Sequence, residues 1–122
     1  MRSIILALLL LLPASAFAQF ENNPTQQRLW TAMTNVAGTY QMLLACDRDY
    51  TAGLVYDEIV KFTRPLIQNQ SDLDIASEMW AAALNQASVT YRSAISKLER
   101  NPQGEACNYL ESEAIRILDR GI

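Results

Sequence analysis

The chain of 122 residues contains no histidine. Histidine is the usual general base near neutral pH, the base in Ser-His and Cys-His nucleophile pairs, and the commonest ligand of transition metals. Without it, acid-base chemistry would rest on carboxylates, and the densest set of these (Glu105, Glu111 and Glu113) is more typical of a solvated helix face. The composition therefore disfavours an enzyme and predicts neither a cofactor nor a metal site.

Glycine is scarce as well, and its four residues all stand apart from one another in the sequence. Isolated glycines exclude a glycine-rich loop of the kind that cradles phosphate groups. The formal net charge is −3, and the 10 basic residues are scattered among 13 acidic ones. Such a distribution lacks the basic patch that nucleic acid or an anionic lipid surface requires, so neither is expected as a partner.

The longest apolar run of the chain lies at its N-terminus. Residues 4–12 are all apolar, follow the positively charged Arg2 and end at Pro13. This run is about half as long as the roughly 20 residues that span a bilayer as a helix. Its length and its flanking charge are typical of a secretory signal peptide, and an uncleaved anchor helix is the alternative.

Small residues mark a cleavage site shortly after this run. Ala16 and Ala18 stand at the −3 and −1 positions relative to Gln19, the pattern that signal peptidase recognises. The sequence therefore predicts a signal peptide over residues 1–18, cleavage after Ala18, and one mature domain over residues 19–122. We expect this domain in the periplasm or secreted, without stable membrane insertion.

After the leader, apolar residues recur at steps of three and four, and no stretch alternates as a half-buried strand does. Capping residues and prolines divide this pattern into four predicted helices. They run from Asn23-Pro24 to about Cys46, from near Thr51 to a kink or end at Pro65, from a cap at Ser71 to Asn101-Pro102, and from between Asn101 and Glu105 to Gly121.

The sequence thus predicts an all-α fold, a small antiparallel four-helix bundle that follows a cleaved signal peptide. Amphipathic helices with short connections commonly pack in this way because none can bury its apolar face alone. The third predicted helix is clearly longer than the second. Part of another helix therefore lacks a second-helix neighbour, which would leave either a groove or an irregular end.

Two cysteines in an exported domain indicate a disulfide, and Cys46 with Cys107 is the one pairing possible within the chain. In an up-down-up-down bundle, the end of helix one and the start of helix four lie at the same pole. A redox pair would usually be closer in sequence, and a zinc site would need more ligands. The alternative is an intermolecular pairing.

Three large side chains lie beside the predicted apolar stripes rather than in them: Trp30, Tyr56 and Met79. Aromatic residues and methionine are enriched in protein–protein interfaces, so these three are candidate partner-binding residues. The alternative is that they belong to a core wider than a single stripe.

By exclusion, the sequence indicates a non-enzymatic exported helical protein that acts by binding another envelope or secreted protein. Three other classes remain open. The protein could be an immunity or inhibitor protein against a periplasmic toxin or hydrolase, a periplasmic stress chaperone, or an enzyme that uses carboxylates. The sequence leaves the oligomeric state open.

Overall fold

The computed structural model describes residues 23–122 and shows five helices and no strand within them. The predicted signal peptide and its cleavage site before Gln19 lie outside the described residues. The prediction of an all-helical fold is confirmed, whereas the prediction of four helices is wrong. The helices are α1 (Pro24–Ala45), α2 (Asp49–Thr63), α3 (Gln70–Thr90), α4 (Arg92–Arg100) and α5 (Glu105–Arg120).

The first helix begins where the sequence predicted. The Asn23 side-chain oxygen accepts hydrogen bonds from the backbone N–H groups of Thr25 and Gln26, and Pro24 occupies the first helical position. Proline fits there because the N–H that it lacks would have no partner within the helix. At the other end, Asp47 adopts a φ of 57° and turns the chain towards α2. Aspartate tolerates this left-handed conformation better than most residues.

The boundaries of α2 and α3 refine the prediction. The helix α2 ends at Thr63, and Pro65 lies in a single 3-10 turn, Arg64–Leu66, because proline supplies no backbone N–H for continued helical bonding. The next helix is capped by Asn69, whose side chain accepts from the Asp72 N–H, and not by Ser71 as predicted. Both residue types cap well, and the backbone of Asn69 is the one that is extended.

The predicted third helix is divided at Tyr91 into α3 and α4. Tyr91 leaves helical geometry with a φ of −106° and a ψ of 21°. Its ring lies over Gly38 of α1, where a Cβ atom would come within 2.7 Å of the ring. Neither proline nor glycine marks this position, so the division depends on packing between distant segments and leaves no local signal in the sequence.

The central element of the fold is α1, which packs against each of the other four helices. Its closest neighbour is α3, whose buried alanines allow the two backbones to approach. Gln41 of α1 strengthens this contact by donating hydrogen bonds to the Leu84 carbonyl and the Ser88 hydroxyl. By contrast, α2 and α3 make little direct backbone contact. The arrangement therefore differs from a square bundle, in which α2 and α3 would be neighbours.

The predicted disulfide between Cys46 and Cys107 is present. It joins the end of α1 to the first turn of α5, with the two Cα atoms 5.7 Å apart and both side chains buried. Arg48 reinforces the same pole by pairing with Glu111 at 2.7 Å and donating to the Asn108 side chain. Together these contacts hold α5 against α1 and α2.

None of the helices in the described part of the chain is long and apolar enough to cross a membrane.

Candidate functional site: an apolar groove between α2 and α3

An open groove of about 520 Å³ lies where α2 and α3 diverge. We call it the α2–α3 groove. Its walls come from the two helices and from the segment that connects them, and its floor comes from Met33 of α1 together with buried residues of α2 and α3. Its lining consists of Met33, Tyr56, Ile59, Val60, Thr63, Arg64, Ile67, Leu73, Ala76, Ser77 and Trp80.

Two aromatic rings, those of Tyr56 and Trp80, lie at one end of the α2–α3 groove, and the Tyr40 ring of α1 packs against both. The Tyr56 ring lies 5.7 Å from the Trp80 ring between centroids, and the Tyr40 ring lies 5.7 Å from Trp80 and 6.3 Å from Tyr56. These separations are within the range in which aromatic pairs attract one another beyond simple burial. The cluster connects all three helices at a place where the backbones of α2 and α3 are apart.

The floor of the groove is buried core, and its rim is exposed. Met33, Ile59 and Ala76 are each at most 5% exposed. At the mouth, Tyr56 is 40% exposed and Leu73 is 46% exposed. Large apolar side chains that stay half open to water can still lose apolar surface on contact with a partner, and each square ångström so buried contributes about 25 cal/mol.

The structure places the three candidate partner-binding residues in different environments. Tyr56 lines the groove and is exposed at its mouth. Met79 is completely buried, so its side chain is part of the core and offers no surface to a partner. Trp30 is half-buried, packs against the core and does not line the groove. Sequence position alone did not separate these cases, because all three lie beside the predicted stripes.

Leu73 and Trp80 of α3 also line the groove, and neither is fully buried. They were not among the predicted partner-binding residues. The signal that could have found them is the width of the apolar surface on this helix. Ala76 and Met79 already face α1. Leu73 and Trp80 form a second apolar row beside them, so the apolar surface of α3 is wider than one neighbouring helix can cover.

One of the carboxylates of α5, Glu111, has a structural role. Glu111 was expected on a solvated face, but it is half-buried, paired with Arg48, and accepts a hydrogen bond from the buried Thr51 hydroxyl. Both of its oxygens therefore hold α5 to the start of α2. Among the residues that the structure describes, no group of three or more histidine, cysteine or acidic side chains could hold a metal ion.

Fold and groove together define a class: an all-helical domain, closed by one disulfide, that carries an open apolar groove. No protein-family model matches the chain, and no curated protein or solved structure is detectably similar to it. The function of the protein must therefore be inferred from the chemistry of the groove itself.

Proposed function

We propose that this protein is a non-enzymatic exported protein that binds another envelope or secreted protein through the α2–α3 groove. The observation that carries this proposal is the combination of a buried floor with an exposed apolar rim. The groove is already open in the unbound chain and its floor is packed core, so less ordering cost opposes binding than at a site that forms only on contact. The half-exposed Tyr56 at its mouth is the kind of aromatic anchor that dominates binding energy in interfaces.

The width of the mouth favours a protein partner over an enclosed small molecule. Tyr56 and Leu73, on opposite walls, both remain strongly exposed, so the groove continues outward into an apolar rim. Small-molecule sites usually surround most of the ligand surface. An open groove with large side chains on both rims is better suited to the apolar face of a protein segment.

We predict that Leu73→Gln removes partner binding, because a polar amide in the rim would have to lose water without gaining a partner. The experiment is affinity capture from an envelope extract with the mature domain as bait. Val89→Gln is the matched control, since Val89 lies on the same helix, is 50% exposed and does not line the groove. Both variants should keep the circular dichroism spectrum of the original protein and melt within a few degrees of it.

A partner retained by the original protein and by Val89→Gln, but lost with Leu73→Gln, would support the proposal. Equal capture by both variants would overturn it, because the binding surface would then lie elsewhere.

Export is the second part of the proposal and has its own test. If the protein is exported, intact-mass analysis of material from the periplasm or medium should show a chain that begins at Gln19. The pattern Ala16-Phe17-Ala18 provides the small residues that signal peptidase needs. A species that retains residues 1–18 would contradict the assigned compartment.

A further inference from the structure

We infer that the segment bound by the α2–α3 groove is a basic amphipathic helix of the partner protein. This inference rests on the proposed function and names the chemistry of the segment that the groove accepts.

The length of the groove fits a short helix. Residues 56–63 on one wall and 73–80 on the other each cover seven steps, or about 10.5 Å at about 1.5 Å per residue. A helix that presents apolar residues at i, i+3 or i+4, and i+7 covers the same distance with one face. In helix-in-groove complexes, the bound helix carries its anchor residues at this spacing.

Other peptide conformations fit less well. Addition of an extended strand needs an exposed sheet edge, and residues 23–122 contain no sheet. Proline-rich segments dock in grooves lined by aromatic side chains, whereas the aromatic lining here is limited to Tyr56 and Trp80 at one end. The remaining apolar lining is aliphatic, apart from one methionine on the floor, which suits the leucine-like side chains of an amphipathic helix.

The charges of α2 and α3 favour a bound segment with positive charge. The helices α2 and α3 carry only one basic residue, Lys61, against the acidic residues Asp49, Asp57, Glu58, Asp72, Asp74 and Glu78. Lys61 already pairs with Glu58 at 3.3 Å. Asp57 and Asp74 are exposed and directly follow the rim residues Tyr56 and Leu73. Neither carboxylate lines the groove, but both lie beside its rims, where cations that flank the apolar face of a bound helix would contact them.

A single cation lines the groove, Arg64, and it lies beyond the last turn of α2, at the opposite end from the aromatic cluster. An arginine in this place is compatible with the C-terminal end of a bound helix, whose free carbonyl groups carry partial negative charge. The aromatic end, with Asp57 beside it, would then receive the N-terminal part of the bound segment.

The basic helix of this chain, α4, does not offer such a segment to a second copy. The helix α4 is amphipathic and basic, with Arg92, Lys97 and Arg100 exposed. Its buried residue, Leu98, packs against the disulfide pair. The apolar face of α4 is therefore already used, which favours a bound helix that belongs to another protein.

The test uses the mature domain and two synthetic helical peptides, titrated by calorimetry. Both peptides carry the same leucines at i, i+4 and i+7; one has lysines beside this stripe and the other has glutamates. We expect the lysine peptide to bind at least tenfold more tightly at low salt, and this preference to shrink at about 0.5 M salt, where screening is strong.

Variants of the protein show which carboxylates cause the preference for the lysine peptide. Asp57→Asn with Asp74→Asn should weaken binding of the lysine peptide about fivefold, as expected for the loss of two exposed charge contacts. Glu99→Gln with Asp119→Asn is the control, because it makes the same change in net charge on α4 and α5. This control should bind the lysine peptide as the original protein does.

The outcomes separate the inference from the proposed function. Equal binding of the two peptides, together with loss of both by Leu73→Gln, would overturn the basic partner and leave the groove as a binding site. If neither peptide binds while envelope capture remains sensitive to Leu73→Gln, the inference is wrong and the proposed function stands. Self-association that is lost with Leu73→Gln would make a second copy the occupant and would also overturn the inference.

Discussion

Replacing Cys46 and Cys107 together by alanine should lower the free energy of unfolding by about 4 kcal/mol. The disulfide closes a loop with a sequence separation of 61 residues, and the chain-entropy model assigns about this much stabilisation to a loop of that length. A 100-residue domain of ordinary stability has about 5–15 kcal/mol in total, so the effect is a large fraction of it. Denaturant unfolding of the original and the double variant measures the difference.

The same bond can be tested without substitution, which removes the uncertainty over small cavities left by alanine. Reduction of the original protein should give a similar loss of stability, while far-UV circular dichroism at low temperature keeps the helical signal. Both sulfur atoms are in the disulfide, so the oxidised protein has no free thiol for an alkylating reagent, even when it is denatured without reductant. Rapid labelling of both thiols in freshly isolated protein would contradict the bond.

Met79→Ala should destabilise the domain by about 2–5 kcal/mol, the range found when a large buried side chain is truncated to alanine. Met79 is completely buried in the main core cluster, so the truncation removes apolar contacts and leaves a cavity between α1 and α3. The measurement is again the free energy of unfolding by denaturant. A large loss would establish Met79 as a core residue.

Leu73→Ala is the matched control for this substitution. Leu73 lies on the same helix but is 46% exposed, so truncation should cost less than about 1 kcal/mol while it weakens binding at the groove. Met79→Ala should therefore affect mainly stability, and Leu73→Ala mainly binding. If Met79→Ala were as mild as Leu73→Ala, the packing of α3 against α1 would be different from that described here.

Much of the local structure could be predicted from the sequence. Asn23 and Pro24 define the start of α1. The Asn23 side chain accepts hydrogen bonds from backbone N–H groups that have no partner within the helix, and Pro24 has no N–H that would need one. Pro65 ends regular helix for a related reason. The pairing of Cys46 with Cys107 also followed from the sequence, because helix order places both residues at one pole.

The tertiary structure alone decided the features that create the candidate site. Tyr91 divides the third predicted helix because its ring covers Gly38, a contact between residues far apart in the chain. The buried alanines of α3 bring that helix against α1 rather than α2, which separates α2 from α3 and opens the groove.

Sequence periodicity identifies the apolar residues of a helix face, but it does not identify the neighbouring helix that will cover each of them. For this reason Met79 and Tyr56, which share an off-stripe position in the sequence, differ in the fold. Met79 is sealed between helices, and Tyr56 stands at the mouth of the groove. Capping residues and prolines therefore determined most of the helix ends, whereas the packing of the helices determined the break at Tyr91 and which apolar side chains stay exposed.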